Sequence, residues 1–276
     1  MQSHVRPQTL DEAVAALRSG PARVLAGGTD LYPGAGARLS GPILDLTAVP
    51  DLRGIAASAG GMRIGAATTW TALADADLPP ALNALQQAAL QVGGRQIQNA
   101  GTLGGNLCNA SPAADGVPPL LAADAEVDLL SATGTRRLPL GSFLTGPRQT
   151  ALRPGELLVA VHVPPSGLTG RSIFLKLGAR SHLVISIVMV AARIVVEGGR
   201  VASAAIAVGS CSASAQRLPL VEAALIGATP DEAASQIRPA DVAAALSPID
   251  DIRATAAYRL TAATELVTRA VAEVTR

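Results

Sequence analysis

Residues 98–115 read Gln-Asn-Ala-Gly-Thr-Leu-Gly-Gly-Asn-Leu-Cys-Asn-Ala-Ser-Pro-Ala-Ala-Asp, and this stretch decides how the chain is interpreted. It contains three glycines within five residues, at positions 101, 104 and 105. Short hydrogen-bonding side chains surround these glycines: Thr102, Asn106, Asn109 and Ser111. A backbone without Cβ atoms can approach a ligand closely and direct its N–H groups at an anion such as a pyrophosphate. The pattern favours a ligand-binding loop; an ordinary tight turn is the alternative, because glycine clusters also mark turns.

A second glycine stretch, Ala26-Gly27-Gly28-Thr29-Asp30-Leu31, follows the apolar run 24–26. The pattern predicts a strand, then a Gly-Gly turn, then a threonine whose hydroxyl is available to a ligand. Two such loops can converge on the two phosphates of one dinucleotide. Neither loop has the Gly-Lys-Ser/Thr of a P-loop or the Gly-x-Gly-x-x-Gly of a Rossmann fold, so these two common nucleotide sites are not indicated.

Composition narrows the function classes. The chain has 276 residues, enough for two domains, and a net charge of +1, which gives no sign of nucleic-acid binding. Its two cysteines, Cys108 and Cys211, cannot supply the roughly four thiolates of an iron–sulfur cluster. We expect no metal site in this chain. The N-terminus lacks the apolar core of a signal peptide and no run is long enough for a membrane span, so a cytoplasmic location is expected.

The remaining pattern predicts an α+β protein. Thr9 and Glu12 form a capping box before a first helix, and a second helix is predicted over 81–92. The apolar run 183–195 suits a buried strand, although periodicity does not exclude a buried helix. Arg259, near the start of the C-terminal helix, is expected outside the core or against a partner. The predicted strands are 23–26, 43–46, 62–66, 124–130, 157–163, 172–177, 184–195 and 201–208.

The two glycine loops, taken together with further segments, resemble the FAD-binding subunit of the xanthine dehydrogenase and carbon monoxide dehydrogenase family, the molybdenum hydroxylases. The further segments follow that family's order and approximate spacing: Ile64-Gly65-Ala66, Gly146-Pro147-Arg148-Gln149-Thr150, Lys176-Leu177-Gly178-Ala179-Arg180 and Pro248-Ile249-Asp250-Asp251-Ile252-Arg253. The resemblance covers nearly the whole chain. It implies a two-subdomain FAD-binding domain of the vanillyl-alcohol-oxidase-like type, followed by a smaller C-terminal α+β domain with an antiparallel sheet and helices.

With the linker expected at 164–170, where prolines and glycines cluster, the domains are predicted as 1–168, with subdomains at about 1–55 and 56–168, and 169–276. The resemblance implies a set of cofactor-binding residues: Arg23, Val24, Leu25, Ala26, Gly27, Gly28, Thr29, Asp30, Gly101, Thr102, Leu103, Gly104, Gly105, Asn106, Cys108, Asp115, Leu158 and Lys176. No catalytic residue is assigned.

Several of these residues have a structural alternative. Asp30 either contacts the cofactor or caps a turn. Asp115 either contacts the ribose or adenine end of FAD, as the resemblance implies, or caps a helix over 116–123. Lys176, the only lysine of the chain, either lies at the pyrimidine side of the flavin and raises its potential or is a surface lysine. Leu158 is either a flavin contact or a core leucine. Cys108 is expected to contribute its backbone.

The resemblance implies an electron-transfer function. FAD on this chain takes electrons from the iron–sulfur clusters of a small partner subunit, which receives them from a large subunit with a molybdenum cofactor. The electrons then pass to NAD, oxygen or another acceptor, and the assembly is expected to be a dimer of heterotrimers. The alternatives are a stand-alone FAD-dependent oxidoreductase and a non-redox nucleotide-binding accessory protein.

Overall fold

A computed structural model describes residues 4–36 and 39–276. Its strands, in chain order, are β1 (His4–Val5), β2 (Arg23–Leu25), β3 (Ile43–Asp45), β4 (Ile55–Ser58), β5 (Gly61–Gly65), β6 (Glu126–Ser131), β7 (Gly134–Pro139), β8 (Leu144–Gly146), β9 (Gln149–Thr150), β10 (Leu157–Val163), β11 (Arg171–Leu177), β12 (Val188–Glu197), β13 (Arg200–Gly209) and β14 (Gln216–Arg217). Its α-helices are α1 (Leu10–Arg18), α2 (Trp70–Ala74), α3 (Asn83–Gln91), α4 (Arg95–Ala100), α5 (Leu103–Asn109), α6 (Val117–Ala122), α7 (Leu140–Phe143), α8 (Pro219–Leu225), α9 (Pro230–Ala233), α10 (Pro239–Ala243) and α11 (Ala256–Val274).

The N-terminal part of the chain forms a small parallel sheet in the order β1-β3-β2. Helix α1 connects β1 to β2, and the Thr9 side chain caps it by accepting a hydrogen bond from the Glu12 N–H at 3.2 Å, as the capping box predicts. The Glu12 carboxylate reaches back to the Gln8 N–H at 2.6 Å. Strand β2 lies at the edge of this sheet and stops at Leu25, directly before the first glycine loop.

A five-stranded antiparallel sheet follows, in the order β4-β5-β10-β6-β7. Strand β10 lies at its centre and is buried at every position except His162, which explains why its other residues, from Leu157 to Val163, are apolar. Helices α2 to α6 occupy the chain between β5 and β6. The helical spacing of Leu82, Leu85, Ala89 and Val92 predicts one shared face; the first three are buried, and Val92 is half-buried against the same core.

The C-terminal sheet is antiparallel, in the order β11-β12-β13-β14, and is covered on both faces. One face packs against α11 through branched side chains such as Val190 and Val267. The other face packs against α3 and α6 through a cluster of small or unbranched residues: Ala84, Ala88, Ala122, Phe174, Met189, Ala191 and Ala205. Because alanines dominate this second layer, the helices of the preceding region approach the sheet closely.

Buried hydrogen bonds and an ion pair also connect the C-terminal sheet to the preceding part of the chain. The Arg193 side chain, on β12, is only 4% exposed and donates to the Ala122 carbonyl at 2.7 Å. It also forms an ion pair with Asp124 at 2.8 Å. The Phe174 N–H donates to Gln87 Oε1 at 2.7 Å, so β11 is tied to helix α3 as well.

Three expectations from the sequence are wrong in detail. The stretch 98–115 is not one loop, because it contains the end of α4 and all of α5. The run 183–195 does not form one strand, since Leu183 has a φ of 51° and β12 begins only at Val188. Arg259 lies in the core rather than outside it: the residue is 3% exposed and donates to the Ile187 carbonyl at 2.6 Å and to Asp251 at 2.7 Å.

None of the helices in the described ranges combines the length and apolar character that a bilayer crossing requires.

Candidate functional site

A cavity of about 450 Å³ lies where the two glycine stretches meet. Its volume falls within the range of small-molecule and cofactor sites. The first stretch reaches it from the end of β2, and the second reaches it through α5. The five-stranded sheet closes it with residues at the ends of β5 and β10, including Ala66, Ala67 and Leu158. All of its lining residues therefore precede the C-terminal sheet, and they come from several separate segments of the chain.

The two glycine stretches are in backbone contact. A Cβ atom added to Gly27 would lie 2.0 Å from the Ala100 carbonyl oxygen and 2.8 Å from Gly101 Cα. Any side chain at position 27 would therefore force the two segments apart. Gly28 has a φ of 72°, a left-handed conformation that glycine adopts without strain. These glycines bring two distant parts of the chain to one edge of the cavity, as the sequence predicts.

The main-chain donors of the two stretches differ in availability. Within the described residues, the N–H groups of Gly27, Gly28 and Thr29 donate to no protein acceptor. The N–H groups of Leu103 and Gly104 instead donate to the Thr68 and Ala66 carbonyls, at 3.0 and 2.7 Å. The first stretch therefore offers a set of free donors to an anion, whereas the start of α5 uses its donors to attach to the segment after β5.

Thr102 is the N-cap of α5. Its Oγ1 accepts a hydrogen bond from the Gly105 N–H at 3.0 Å, and its carbonyl accepts from Asn106. The Thr102 hydroxyl proton and main-chain N–H have no acceptor in the described part of the chain. Thr29 Oγ1 likewise has no partner among the described residues. Both threonines line the cavity, so their free donors add to those of the first glycine stretch.

Gly104 and Gly105 serve packing. A Cβ at Gly104 would lie 2.7 Å from the Ala66 carbonyl oxygen, and a Cβ at Gly105 would lie 2.9 Å from Thr102 Oγ1. Both glycines line the cavity, but the space that their missing side chains leave is filled by the protein itself. Their absence of Cβ atoms therefore seats α5 against β5 and closes its N-terminal turn.

Asn106 is a cavity-lining residue with a buried side-chain oxygen, Oδ1, that has no hydrogen-bond partner among the described residues. Unpaired buried polar atoms are rare in proteins, and each needs an explanation such as a bound ligand. Gly116 lies beside this oxygen: a Cβ added there would lie 3.0 Å from Asn106 Oδ1 and 2.6 Å from the Trp70 ring.

Two acidic side chains line the cavity, and they differ in their partners. Glu156 forms a two-pronged ion pair with Arg136, at 2.7 and 2.8 Å, and accepts from the Arg153 N–H at 2.7 Å. The hydrogen bonds from Arg136 hold the pKa of Glu156 below its ordinary value. Asp30 is exposed and forms no ion pair with the described residues. Its carboxylate would repel a diphosphate, while its carbonyl accepts a bond from Gly34 and so stabilises the following turn.

Asp115 and Lys176 form a buried ion pair outside the cavity lining. Lys176 Nζ lies 2.8 Å from Asp115 Oδ2 and 3.3 Å from the Gln91 carbonyl, and the Lys176 side chain is 5% exposed. Ser186 donates to the other oxygen of Asp115 at 2.8 Å. Burial raises the pKa of the Asp115 carboxyl, and Lys176 opposes that shift. Because the two side chains touch, they cannot contact opposite ends of one extended FAD molecule.

Most of the predicted cofactor-binding residues line the cavity: Arg23, Val24, Ala26, Gly27, Gly28, Thr29, Asp30, Gly101, Thr102, Gly104, Gly105, Asn106, Cys108 and Leu158. Four do not: Leu25, Leu103, Asp115 and Lys176. Leu25 and Leu103 are buried core residues that neighbour the lining. Helix α6 is capped by Gly116 rather than by Asp115, so the capping alternative for Asp115 does not hold.

Sequence reasoning missed a second group of lining residues: Leu31, Leu46, Leu52, Ala66, Ala67, Trp70, Val92, Ile97, Asn109, Leu152, Glu156 and Leu157. Most are apolar and come from elements that only the folded chain brings together. Three of them stand in stretches of sequence quoted above: Leu31, Ala66 and Asn109. Among the described residues, no group of three or more histidine, cysteine, aspartate or glutamate side chains could hold a metal ion.

Comparison with known proteins decides the family. Residues 1–166 match the domain described as the FAD binding domain in molybdopterin dehydrogenase. Residues 173–274 match the CO dehydrogenase flavoprotein C-terminal domain.

The chain belongs to the molybdopterin dehydrogenase flavoproteins.

Full-length relatives in this flavoprotein family include the medium chain of glyceraldehyde dehydrogenase from Sulfolobus acidocaldarius. It is 30% identical over 276 residues, covering 99% of this chain and 98% of the relative. The carbon monoxide dehydrogenase medium chain of Afipia carboxidovorans is 30% identical over 275 residues, which cover 96% of this chain and 94% of the relative. The xanthine dehydrogenase FAD-binding subunit of Escherichia coli O157:H7 is 40% identical over 172 residues, which cover 59% of this chain and only 58% of that subunit's length.

The flavoprotein fold is also shared with solved structures. A chain of the reconstituted CO dehydrogenase from Oligotropha carboxidovorans superposes with a TM-score of 0.91 at 29% identity, covering 100% of this chain and 98% of that one. A chain of quinoline 2-oxidoreductase from Pseudomonas putida 86 gives a TM-score of 0.88 at 28% identity, and the superposition covers 100% of this chain and 97% of that one. The relatives are FAD-binding subunits or medium chains of dehydrogenases, and the resemblance read from the sequence is confirmed.

Proposed function

We propose that this chain is the FAD-carrying electron-transfer subunit of a molybdenum hydroxylase. It takes electrons from iron–sulfur clusters of a partner subunit and passes them to NAD, oxygen or another acceptor. The observation that carries the proposal is the set of free N–H groups at Gly27, Gly28 and Thr29, beside a cavity of about 450 Å³. Free main-chain donors in a glycine-rich turn suit the diphosphate of a dinucleotide.

The residues present fit FAD. The donors of the first glycine stretch and the hydroxyls of Thr29 and Thr102 supply hydrogen bonds for phosphate oxygens. The apolar side chains of the lining suit the flat rings of a flavin or an adenine, and Asn106 adds a buried oxygen that has no hydrogen-bond partner among the described residues. When bound, FAD supplies the capacity to accept electrons singly and to release them in pairs. The chain's own contribution is to bind and orient it.

Lys176 enters this proposal in a restricted role. Its ammonium group is buried against Asp115, so its charge is largely balanced within the protein. We propose that the Asp115–Lys176 pair acts as one unit beside the cofactor site, since separate contacts at the two ends of FAD are incompatible with their 2.8 Å separation. Three predictions from the sequence belong to this proposal: the two-subdomain, vanillyl-alcohol-oxidase-like FAD-binding domain, the domain boundary at residue 168 and the cytoplasmic location.

Partner subunits follow from the chemistry that this chain lacks. Its two cysteines are too few for an iron–sulfur cluster. We therefore propose a small subunit with iron–sulfur clusters and a large subunit with a molybdenum cofactor, assembled as a dimer of heterotrimers. The substrate would then bind to the large subunit, because the described cavity of this chain is the one assigned to FAD.

The test is to purify the chain alone and after co-expression with subunits encoded beside it. Flavin absorbance is followed anaerobically while purines, N-heterocycles, aldehydes and carbon monoxide are added. Bleaching only in the co-expressed complex supports the proposal. Bleaching of the isolated chain would instead identify a stand-alone FAD-dependent oxidoreductase. A colourless preparation that binds no added FAD would leave a nucleotide-binding accessory protein.

A further inference from the structure

Asn109 and Arg148 form a contact at the edge of the cavity that the FAD assignment does not use. Asn109 is the last residue of α5 and lines the cavity. Arg148 lies in the turn between β8 and β9, and its Nη1 donates a hydrogen bond to Asn109 Oδ1. The Arg148 main-chain N–H donates to the Ala110 carbonyl at 2.8 Å, so the turn is attached to the end of α5 at two points.

The chemistry of the pair fixes the orientation of the Asn109 amide. A guanidinium group has N–H donors and no acceptor, so the atom of Asn109 that faces Arg148 must be the oxygen. The Nδ2 group then carries both remaining N–H donors. Within the described residues, Nδ2 donates to no acceptor. Arg148 therefore leaves Asn109 with donors only for whatever occupies the cavity.

The backbone at this contact is left-handed at two non-glycine residues, one of which, Ala110, caps the end of α5. Arg148 has a φ of 59° and Ala110 a φ of 45°, and both are non-glycine residues in the left-handed region. Such conformations cost of order 1–3 kcal/mol each and collect at functional sites, where the surrounding structure holds them. Here the two strained residues are joined by the bond from the Arg148 N–H to the Ala110 carbonyl. The strain thus lies where the turn meets the cavity wall.

We propose that Asn109 is a further ligand-binding residue and that Arg148 is its positioning residue. The proposal rests on the FAD-binding role given above. It adds one binding residue and the requirement that the cofactor atom facing Asn109 be a hydrogen-bond acceptor. Thr102 and Asn109 stand at opposite ends of α5, which is about 10 Å long at 1.5 Å per residue. With the diphosphate near Thr102, Asn109 meets the dinucleotide beyond the diphosphate. The atom that it binds is a neutral acceptor without a proton to donate, such as a carbonyl oxygen or a ring nitrogen.

The experiment measures the Kd for FAD by fluorescence titration in the preparation, isolated full chain or co-expressed complex, in which the wild type binds FAD. Asn109→Ala loses one hydrogen bond, so affinity falls roughly tenfold. Asn109→Asp lowers the affinity for FAD further than Asn109→Ala does, because its carboxylate oxygen would face the acceptor atom of the cofactor. Arg148→Met loses affinity as well, whereas Arg148→Lys keeps the Kd within about threefold, since an ammonium group still donates to Oδ1.

A double-mutant cycle separates positioning from a direct effect of charge. If Arg148 acts through Asn109, then Arg148→Met changes the Kd by less than about twofold in an Asn109→Ala background, and the losses are independent of salt. A guanidinium that attracts the cofactor directly would give the same loss in both backgrounds, reduced by salt, and would overturn the positioning role. Arg200→Met, another exposed arginine whose side chain binds a carbonyl, controls for net charge.

Unchanged FAD affinity in both Asn109 variants would overturn the binding role of Asn109, provided that the wild type binds FAD. Circular dichroism and gel filtration check that each variant keeps its fold. Failure of the wild type itself to bind FAD is a different result, since it removes the proposed function and this inference with it. The two failures are therefore distinguished by the wild-type titration alone.

Discussion

Replacing Gly27 by alanine perturbs the point where the two glycine stretches touch. The added Cβ would lie 2.0 Å from the Ala100 carbonyl oxygen and 2.7 Å from its carbon. Ordinary contact begins near 3.4 Å, so the two segments must separate by about 1.4 Å. Both atoms belong to the backbone, and no flexible side chain can move aside. Overpacking of this kind costs about 1–3 kcal/mol of folding stability.

The effect on the cofactor is expected to exceed the effect on folding. The free donors at Gly28 and Thr29 move with position 27, and each hydrogen bond to a charged phosphate that is lost costs roughly tenfold or more in Kd. The assay compares FAD content and Kd with the thermal midpoint for Gly27→Ala and for Gly34→Ala, a nearby glycine with no atom within 4 Å of an added Cβ. Wild-type FAD affinity in Gly27→Ala would refute the proposed meeting of the loops.

The remaining predictions concern charged side chains. Lys176→Met leaves Asp115 buried without its cation and lowers the free energy of unfolding by about 3–5 kcal/mol in chemical denaturation, and adding Asp115→Asn restores part of the loss; an unchanged midpoint would contradict the buried pair. Arg193→Met removes the donor to the Ala122 carbonyl and costs a similar amount, whereas the exposed Arg200→Met changes stability by less than about 0.5 kcal/mol. Asp251, with its pKa lowered to about 2 chiefly by the Arg253 N–H and also by Arg259, stabilises the fold when ionised. The stability difference between wild type and Asp251→Asn is therefore full above the unfolded pKa of 3.8 and disappears as the pH falls through about 2; a difference that persists below that range would show a cause other than ionisation.

The sequence predicted the local features well because they depend on neighbours in the chain. The capping box at Thr9, the strand Leu157–Val163 and the Gly-Gly turn after β2 are each encoded within a few residues. The meeting of the two glycine stretches was also predictable, but only as a consequence of a shared ligand. The physical reason for Gly27, its contact with the Ala100 carbonyl, needs the folded chain.

The errors arise where distant segments decide the outcome. Residues 103–109 read as loop because Gly104 and Gly105 have low helix propensity, yet they form α5, since the Gly104 N–H and the missing Cβ atom both serve contact with Ala66. Arg259 was expected outside the core, but carbonyls from two other segments and Asp251 accept its bonds inside it. No local pattern announces such partners.

The pairing of Asp115 with Lys176 shows the same limit at the candidate site. The two residues are 61 positions apart, and each was singled out for its chemistry alone. Their contact appears only when the C-terminal sheet packs on the helices before it, and it changes two separate cofactor contacts into one joint feature. The Asn109–Arg148 contact, 39 positions apart, was inaccessible to sequence reasoning for the same reason.

Amide hydrogen exchange, followed residue by residue by NMR with and without FAD, tests most directly where the diphosphate binds. The N–H groups of Gly27, Gly28 and Thr29 have no acceptor in the described chain, whereas those of Leu103 to Asn106 donate within the protein. The account predicts that FAD slows exchange strongly at 27–29 and changes 103–106 little, because the latter are already bonded. Fast exchange at 27–29 in the FAD-saturated protein would contradict it.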